Sequence, residues 1–119
     1  MIAPDLDRAL REAEELEVIT TGRRSGAAHA VKVWFAYDAG VVWLRTDRDA
    51  DWLRNLDSEP RCRIRAGGIE GTARREAVTD ETAALRGLVD LWRAKYGAEW
   101  VADWYVERGR VPVRLVPEE

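Results

Sequence analysis

Seven consecutive residues, Thr20-Thr21-Gly22-Arg23-Arg24-Ser25-Gly26, put two guanidinium groups, three hydroxyls and two glycines into one tight turn. Phosphate recognition needs that mixture: forked cationic donors, short neutral donors, and backbone N–H groups that glycine leaves uncovered. His29, the single histidine of the chain, lies three residues beyond. The other reading of this stretch is a solvated basic turn, and composition alone favours it.

Other chemistries find less support. Cys62 is the only cysteine, so an internal disulfide and a multi-thiolate metal site are both excluded. One histidine is too few for a zinc hydrolase, which takes two or three imidazoles. Asp47, Asp49 and Asp51 alternate in a loop that could take a divalent cation, but the calcium-loop pattern is missing. No serine stands in a nucleophile-elbow context. The sequence therefore predicts neither a hydrolase nor a resident metal.

The 119 residues allow one domain, expected over 1–119, and 46% hydrophobic with 34% charged residues is the composition of a folded protein. No apolar run approaches the roughly 18 residues of a membrane span. The first residues carry neither a basic region nor an apolar stretch, so no signal peptide is expected and a cytoplasmic protein is the default. The net charge of −3 hides an asymmetry: residues 1–22 balance at −4, residues 23–75 at +4 and residues 76–119 at −3. A basic middle inside an acidic chain suits a small polyanion better than a nucleic acid, which goes with a basic domain as a whole.

Those residues need elements to hold them. Residues 4–13 read as a short amphipathic helix within an N-terminal 1–15 segment, and 16–21 as a strand rich in β-branched residues. Val31 to Tyr37 reads as one strand, turned by Asp38-Ala39-Gly40 into Val41–Thr46. A short helix carries Trp52, Leu53, Asn55 and Leu56 and stops before Pro60. In Arg61-Cys62-Arg63-Ile64-Arg65-Ala66 the arginines alternate with small or apolar residues, a strand with one wet face. Gly67-Gly68 turns it into Ile69–Ala77. A long helix follows over 79–97, with Thr79 as its expected N-cap, a stripe from Leu85 to Tyr96, and Gly97 as C-cap. A short helix around Trp100–Tyr105 precedes a last strand, 111–116, in which Pro112 suggests an edge. The sum is an α+β protein with about six mainly antiparallel strands, which a small barrel at 16–116 would use without long open edges.

The stretch Val18-Ile19-Thr20-Thr21-Gly22-Arg23-Arg24-Ser25-Gly26 resembles the opening motif of the deazaflavin-dependent nitroreductase family, within the flavin/deazaflavin oxidoreductase superfamily. The likeness runs on through Val33-Trp34-Phe35-Ala36-Tyr37-Asp38, Asp51-Trp52-Leu53-Arg54-Asn55-Leu56, Pro60-Arg61, Lys95-Tyr96-Gly97 and Val111-Pro112-Val113. The resemblance implies a split β-barrel with flanking helices that binds reduced coenzyme F-420 and passes hydride to a quinone, a nitroaromatic or a similar planar acceptor. It places the cofactor's phosphate at the turn, on Thr21, Arg23, Arg24, Ser25 and Gly26, and its border at Trp52, Asn55 and Leu56. Two positions depart from the family's pattern. His29 stands where a second basic residue is common, and Asp47–Asp51 forms a short acidic loop where a longer glycine-containing one is usual.

Six tryptophans are an unusual count for this length. Trp92 falls on the long helix's stripe and reads as core, while Trp34, Trp43 and Trp52 could offer flat surfaces to a tricyclic ring. Trp100, Trp104 and Tyr105 could line an acceptor pocket, with Tyr105 donating a hydrogen bond to a developing oxyanion as the catalytic candidate. The same three would equally serve to close one end of the barrel. FMN in the same turn is the alternative cofactor, a non-catalytic flavin- or ligand-binding module is the alternative function, and a homodimer is the expected form if split barrels pair here as elsewhere.

Overall fold

In the computed structural model, which describes residues 2–97 and 110–118, the stretch expected as a single strand at Val31–Tyr37 is two strands. β1 spans Glu15–Thr21, β2 Ala28–Trp34, β3 Ala36–Asp38 and β4 Val41–Asp47. β5 spans Arg61–Ala66, β6 Ile69–Glu76 and β7 Arg110–Pro117. β2 pairs with β1 and β3 with β4, so the chain changes partner across the single residue Phe35. The sheet order is β2-β1-β5-β6-β7-β4-β3, with every pairing antiparallel. Its two outermost strands are thus consecutive in the chain, and the sheet must curl until its edges meet at Phe35. The result is a split barrel of seven strands, one more than expected, with three helices among the described residues.

Phe35 is fully buried, and its backbone belongs to neither ladder. A buried N–H and C=O left there without partners would be costly. The end of α3 (Glu81–Tyr96) supplies them. Phe35 N–H donates to the Tyr96 hydroxyl at 3.3 Å. The hydroxyl's one hydrogen is directed between the carbonyls of Glu14 and Phe35, and Lys95 Nζ donates to the Phe35 carbonyl at 2.9 Å. The ammonium also sits over the Phe35 ring, 3.4 Å from its centroid. Burial pushes the Tyr96 hydroxyl up to about 12, so it stays a neutral donor, and brings the Lys95 ammonium down to about 8. In the unfolded chain that lysine titrates near 10.4. Between those two values the unfolded state binds more protons, so this group's contribution to stability rises with pH across the window. Lys95→Met is expected to flatten that rise. Denaturant melts of both proteins at pH 7.5 and 9.5 check it, and equal pH responses would remove the lysine from the seam's energetics.

Inside the curl lie Leu16 and Val18 of β1, Val42 and Leu44 of β4, Ile64 of β5 and Val113 of β7. α1 (Pro4–Glu12) plugs the barrel with Leu6 and Leu10. Leu6 lies against the bare Cα of Gly71, where any side chain would collide with it. Asp7 ties the helix to β3 by accepting from the Tyr37 hydroxyl at 2.7 Å, and it accepts from Arg11 of its own helix at 3.0 Å. Burial and that bond raise the Tyr37 hydroxyl to about 12, while the hydrogen bonds hold Asp7 below the ordinary carboxylate range.

α3 packs outside. Leu88, Val89 and Trp92 cover Ala36, Trp34 and Trp43, and Trp34 stacks on Tyr96 with centroids 4.3 Å apart. Its cap is Asp80, whose carboxylate accepts from Ala83 N–H at 3.0 Å, one residue later than the Thr79 expected. Gly97 ends it with φ 98°, as expected. Pro112 is not on an edge: β7 lies between β6 and β4. The β6 ladder ends at Glu76, opposite Arg114, so at residue 112 the strand is paired on the β4 side alone, which suits a residue without an N–H. No described helix is long and apolar enough to cross a membrane.

Candidate functional site

The β1–β2 turn is shaped by Gly22. Its N–H donates to the Ala27 carbonyl at 2.7 Å, and its carbonyl accepts from Gly26 N–H at 2.8 Å, with Gly26 at φ 74°. Ser25 Oγ accepts from Ala27 N–H at 3.1 Å. A Cβ at Gly22 would fall 2.8 Å from His29 Nε2 and 2.9 Å from Ser25 Oγ. The imidazole and the hydroxyl therefore converge over a backbone kept bare for them.

The far wall is α2 (Asp51–Ser58), which turns Leu53 and Leu56 into the barrel and leaves Trp52 half-buried beside the turn. Between turn and helix lies a cleft of about 410 Å³, lined among others by Arg23, Arg24, Ser25, His29, Trp52 and Asn55. Arg23, Arg24, Ser25, His29, Trp52 and Asn55, all singled out from the sequence, thus share one cavity, although Arg23 and Asn55 stand 32 positions apart in the chain. Thr21 and Gly26 do not line it, and the Leu56 that accompanied them is in the barrel core. Tyr105, with Trp100 and Trp104, lies outside the described residues.

The two arginines are not equivalent. Arg23 is bound on several sides by Asn55 and Asp51, including an ion pair with Asp51 at 3.3 Å. Arg24 and His29 are exposed, and neither has an ion pair or a side-chain hydrogen bond among the described residues. Asn55 is buried, and its Nδ2 donates to Thr20 Oγ1 at 3.1 Å. Thr20, counted among the turn's hydroxyls, is instead buried and holds Asn55 rather than facing the cleft. Its parity with Leu16 and Val18 on β1 was the available signal, since strand residues two apart share a face.

The remaining candidates take quieter places. Arg61, Arg63 and Arg65 face outward, as their alternation predicts, but pair with Glu118, with Glu70, and with Glu17 and Glu70 respectively. Much of the basic middle is neutralised in this way. Cys62 faces inward, and burial pushes its thiol up to about 12, which removes it as a nucleophile near neutral pH. Asp47, Asp49 and Asp51 each meet an arginine, and no metal-ligand cluster exists among the described residues. Of the tryptophans weighed for stacking on a ring, Trp34 and Trp43 pack beneath α3, and Trp52 faces the cleft.

The curled barrel with its flanking helices matches split-barrel flavin and deazaflavin proteins in fold. The chain belongs to the F420H(2)-dependent quinone reductase family, whose profile matches residues 6–116. No curated protein matches it by sequence. Among solved structures, it is similar to a conserved hypothetical protein from Mycobacterium tuberculosis at 21% identity and TM-score 0.76, covering 100% of this chain and 82% of that one. An F420 reductase is similar at 15% identity and TM-score 0.72, covering 99% and 97%. The heme storage protein HutZ from Vibrio cholerae is similar at 16% identity and TM-score 0.74, covering 98% and 89%. At such identities the likeness is one of fold.

Proposed function

We propose that the chain is a deazaflavin-dependent reductase whose turn–α2 cleft holds the phosphate-bearing tail of coenzyme F-420, and that it serves a planar acceptor of the quinone or nitroaromatic kind. The observation that carries this reading is the exposed Arg24 guanidinium, uncommitted among the described residues, beside Ser25 and His29 at the bare backbone of Gly22. Arg24 supplies forked charged donors to an anion, and the Ser25 hydroxyl keeps its hydrogen free because its oxygen already accepts from Ala27. His29 adds a ring N–H on the same side, next to the Ser25 hydroxyl over Gly22. Trp52 offers an apolar flat surface where the cavity leaves the turn.

When bound, the deazaflavin supplies the hydride, and the protein's part is position, charge and exclusion of water. That division explains why the described residues need no catalytic acid–base set. Tyr105 remains our candidate for polarising the acceptor oxygen. The test is oxidation of the reduced coenzyme with menadione and, separately, a nitroaromatic. Turnover with at least one is the expected result, slowed by Tyr105→Phe. Binding without turnover of either would reassign the chain as a ligand-binding module.

A further inference from the structure

We infer that Arg23 and Asn55 are positioning residues of the cleft, forming with Asp51 a charge-neutral latch between α2 and the turn, and that Arg24 is the arginine that meets the anion. The inference rests on the reading of the cleft as an anion site.

Asn55 is 4% exposed, and both the nitrogen and the oxygen of its amide are engaged internally. Nδ2 donates to Thr20 Oγ1 on β1. Oδ1 accepts from the Arg23 backbone N–H at 3.2 Å and from Arg23 Nη1 at 2.9 Å. One planar group thus fixes the end of β1, the backbone of the turn and a guanidinium together. Arg23 Nη1 also reaches the Asp51 carbonyl at 3.4 Å, and Nη2 pairs with the Asp51 carboxylate. Its charge is therefore compensated and its donors are directed at α2. Consecutive residues share this work unequally: holding Arg23 N–H fixes the backbone from which Arg24 departs, and Arg24 is left exposed toward the cleft. An isolated pair at the protein surface would do little, but here the shared acceptor is buried, where an unsatisfied amide is expensive.

The experiment is a double-mutant cycle read in two ways, by thermal melting without ligand and by fluorescence titration with coenzyme F-420 at low and high salt. Arg24→Ala is expected to leave the melting temperature unchanged, to weaken binding roughly tenfold or more, and to flatten its salt dependence. Arg23→Ala and Asn55→Ala are expected to lower the melting temperature by roughly 5–15 °C each. Their double variant should fall short of the sum, because both break one network. Both singles should keep the wild-type salt dependence. Where Asn55→Ala does not fold, Thr20→Val takes its place in the cycle. Additive melting effects, or an Arg23→Ala that keeps full stability and loses salt dependence as Arg24→Ala does, would overturn the latch. If the wild-type chain binds no coenzyme F-420 at all, the cofactor reading fails instead, and the melting cycle alone decides the latch.

Discussion

Phe35→Ala is expected to lower the melting temperature by roughly 12–30 °C, the largest effect of any single substitution considered. The ring is fully buried and packs with the barrel's interior. Truncating a buried phenylalanine costs about 3–5 kcal/mol, and each kcal/mol moves the transition by roughly 4–6 °C in a domain near this size. The site adds a second loss. The ring lies under the Lys95 ammonium, and the backbone at this residue is where the two sheet edges meet. Circular dichroism melts of Phe35→Ala and Phe35→Leu check it, with the leucine variant retaining most of the stability. A drop below about 5 °C for the alanine variant would mean that the seam is held by the helix contacts alone.

Gly22→Ala should do the opposite: disturb binding and spare the fold. The backbone there lies outside the left-handed region, so alanine is conformationally acceptable. The added methyl meets the His29 ring and the Ser25 hydroxyl at 2.8–2.9 Å, and both belong to exposed side chains that can swing aside. Swinging aside takes two donors off the bare backbone on which they converge. Hydrogen bonds to a charged partner are worth about 1.5–3 kcal/mol each, so losing the equivalent of one should lower coenzyme affinity roughly tenfold to a hundredfold, with the melting temperature within a few degrees of wild type. Unchanged affinity would place the anion away from Gly22.

Local pattern was legible where local physics decides. The Arg61–Ala66 alternation, the Gly67-Gly68 hairpin and the long helix's apolar stripe all appear where their spacing places them. The break at Phe35 was not legible, because apolar residues continue on both sides of it and only closure of the whole sheet forces the change of partner. Pro112 misled for a related reason: a proline's place in a sheet depends on where the neighbouring strand ends, which no local pattern records. At the site, the turn and the Trp52–Asn55 segment were legible as chemistry, and the structure brings them to one cleft. The difference between Arg23 and Arg24 was not, since it depends on Asn55 and Asp51, far along the chain.

The most direct measurement is an equilibrium fluorescence titration of the wild-type protein with coenzyme F-420, run beside FMN and repeated with Arg24→Ala. Saturable binding of the deazaflavin at one site per chain, tighter than FMN and weakened roughly tenfold or more by the arginine's loss, is the predicted result. No binding of the deazaflavin, or binding that ignores Arg24→Ala, would contradict the assignment of the turn–α2 cleft as its phosphate site.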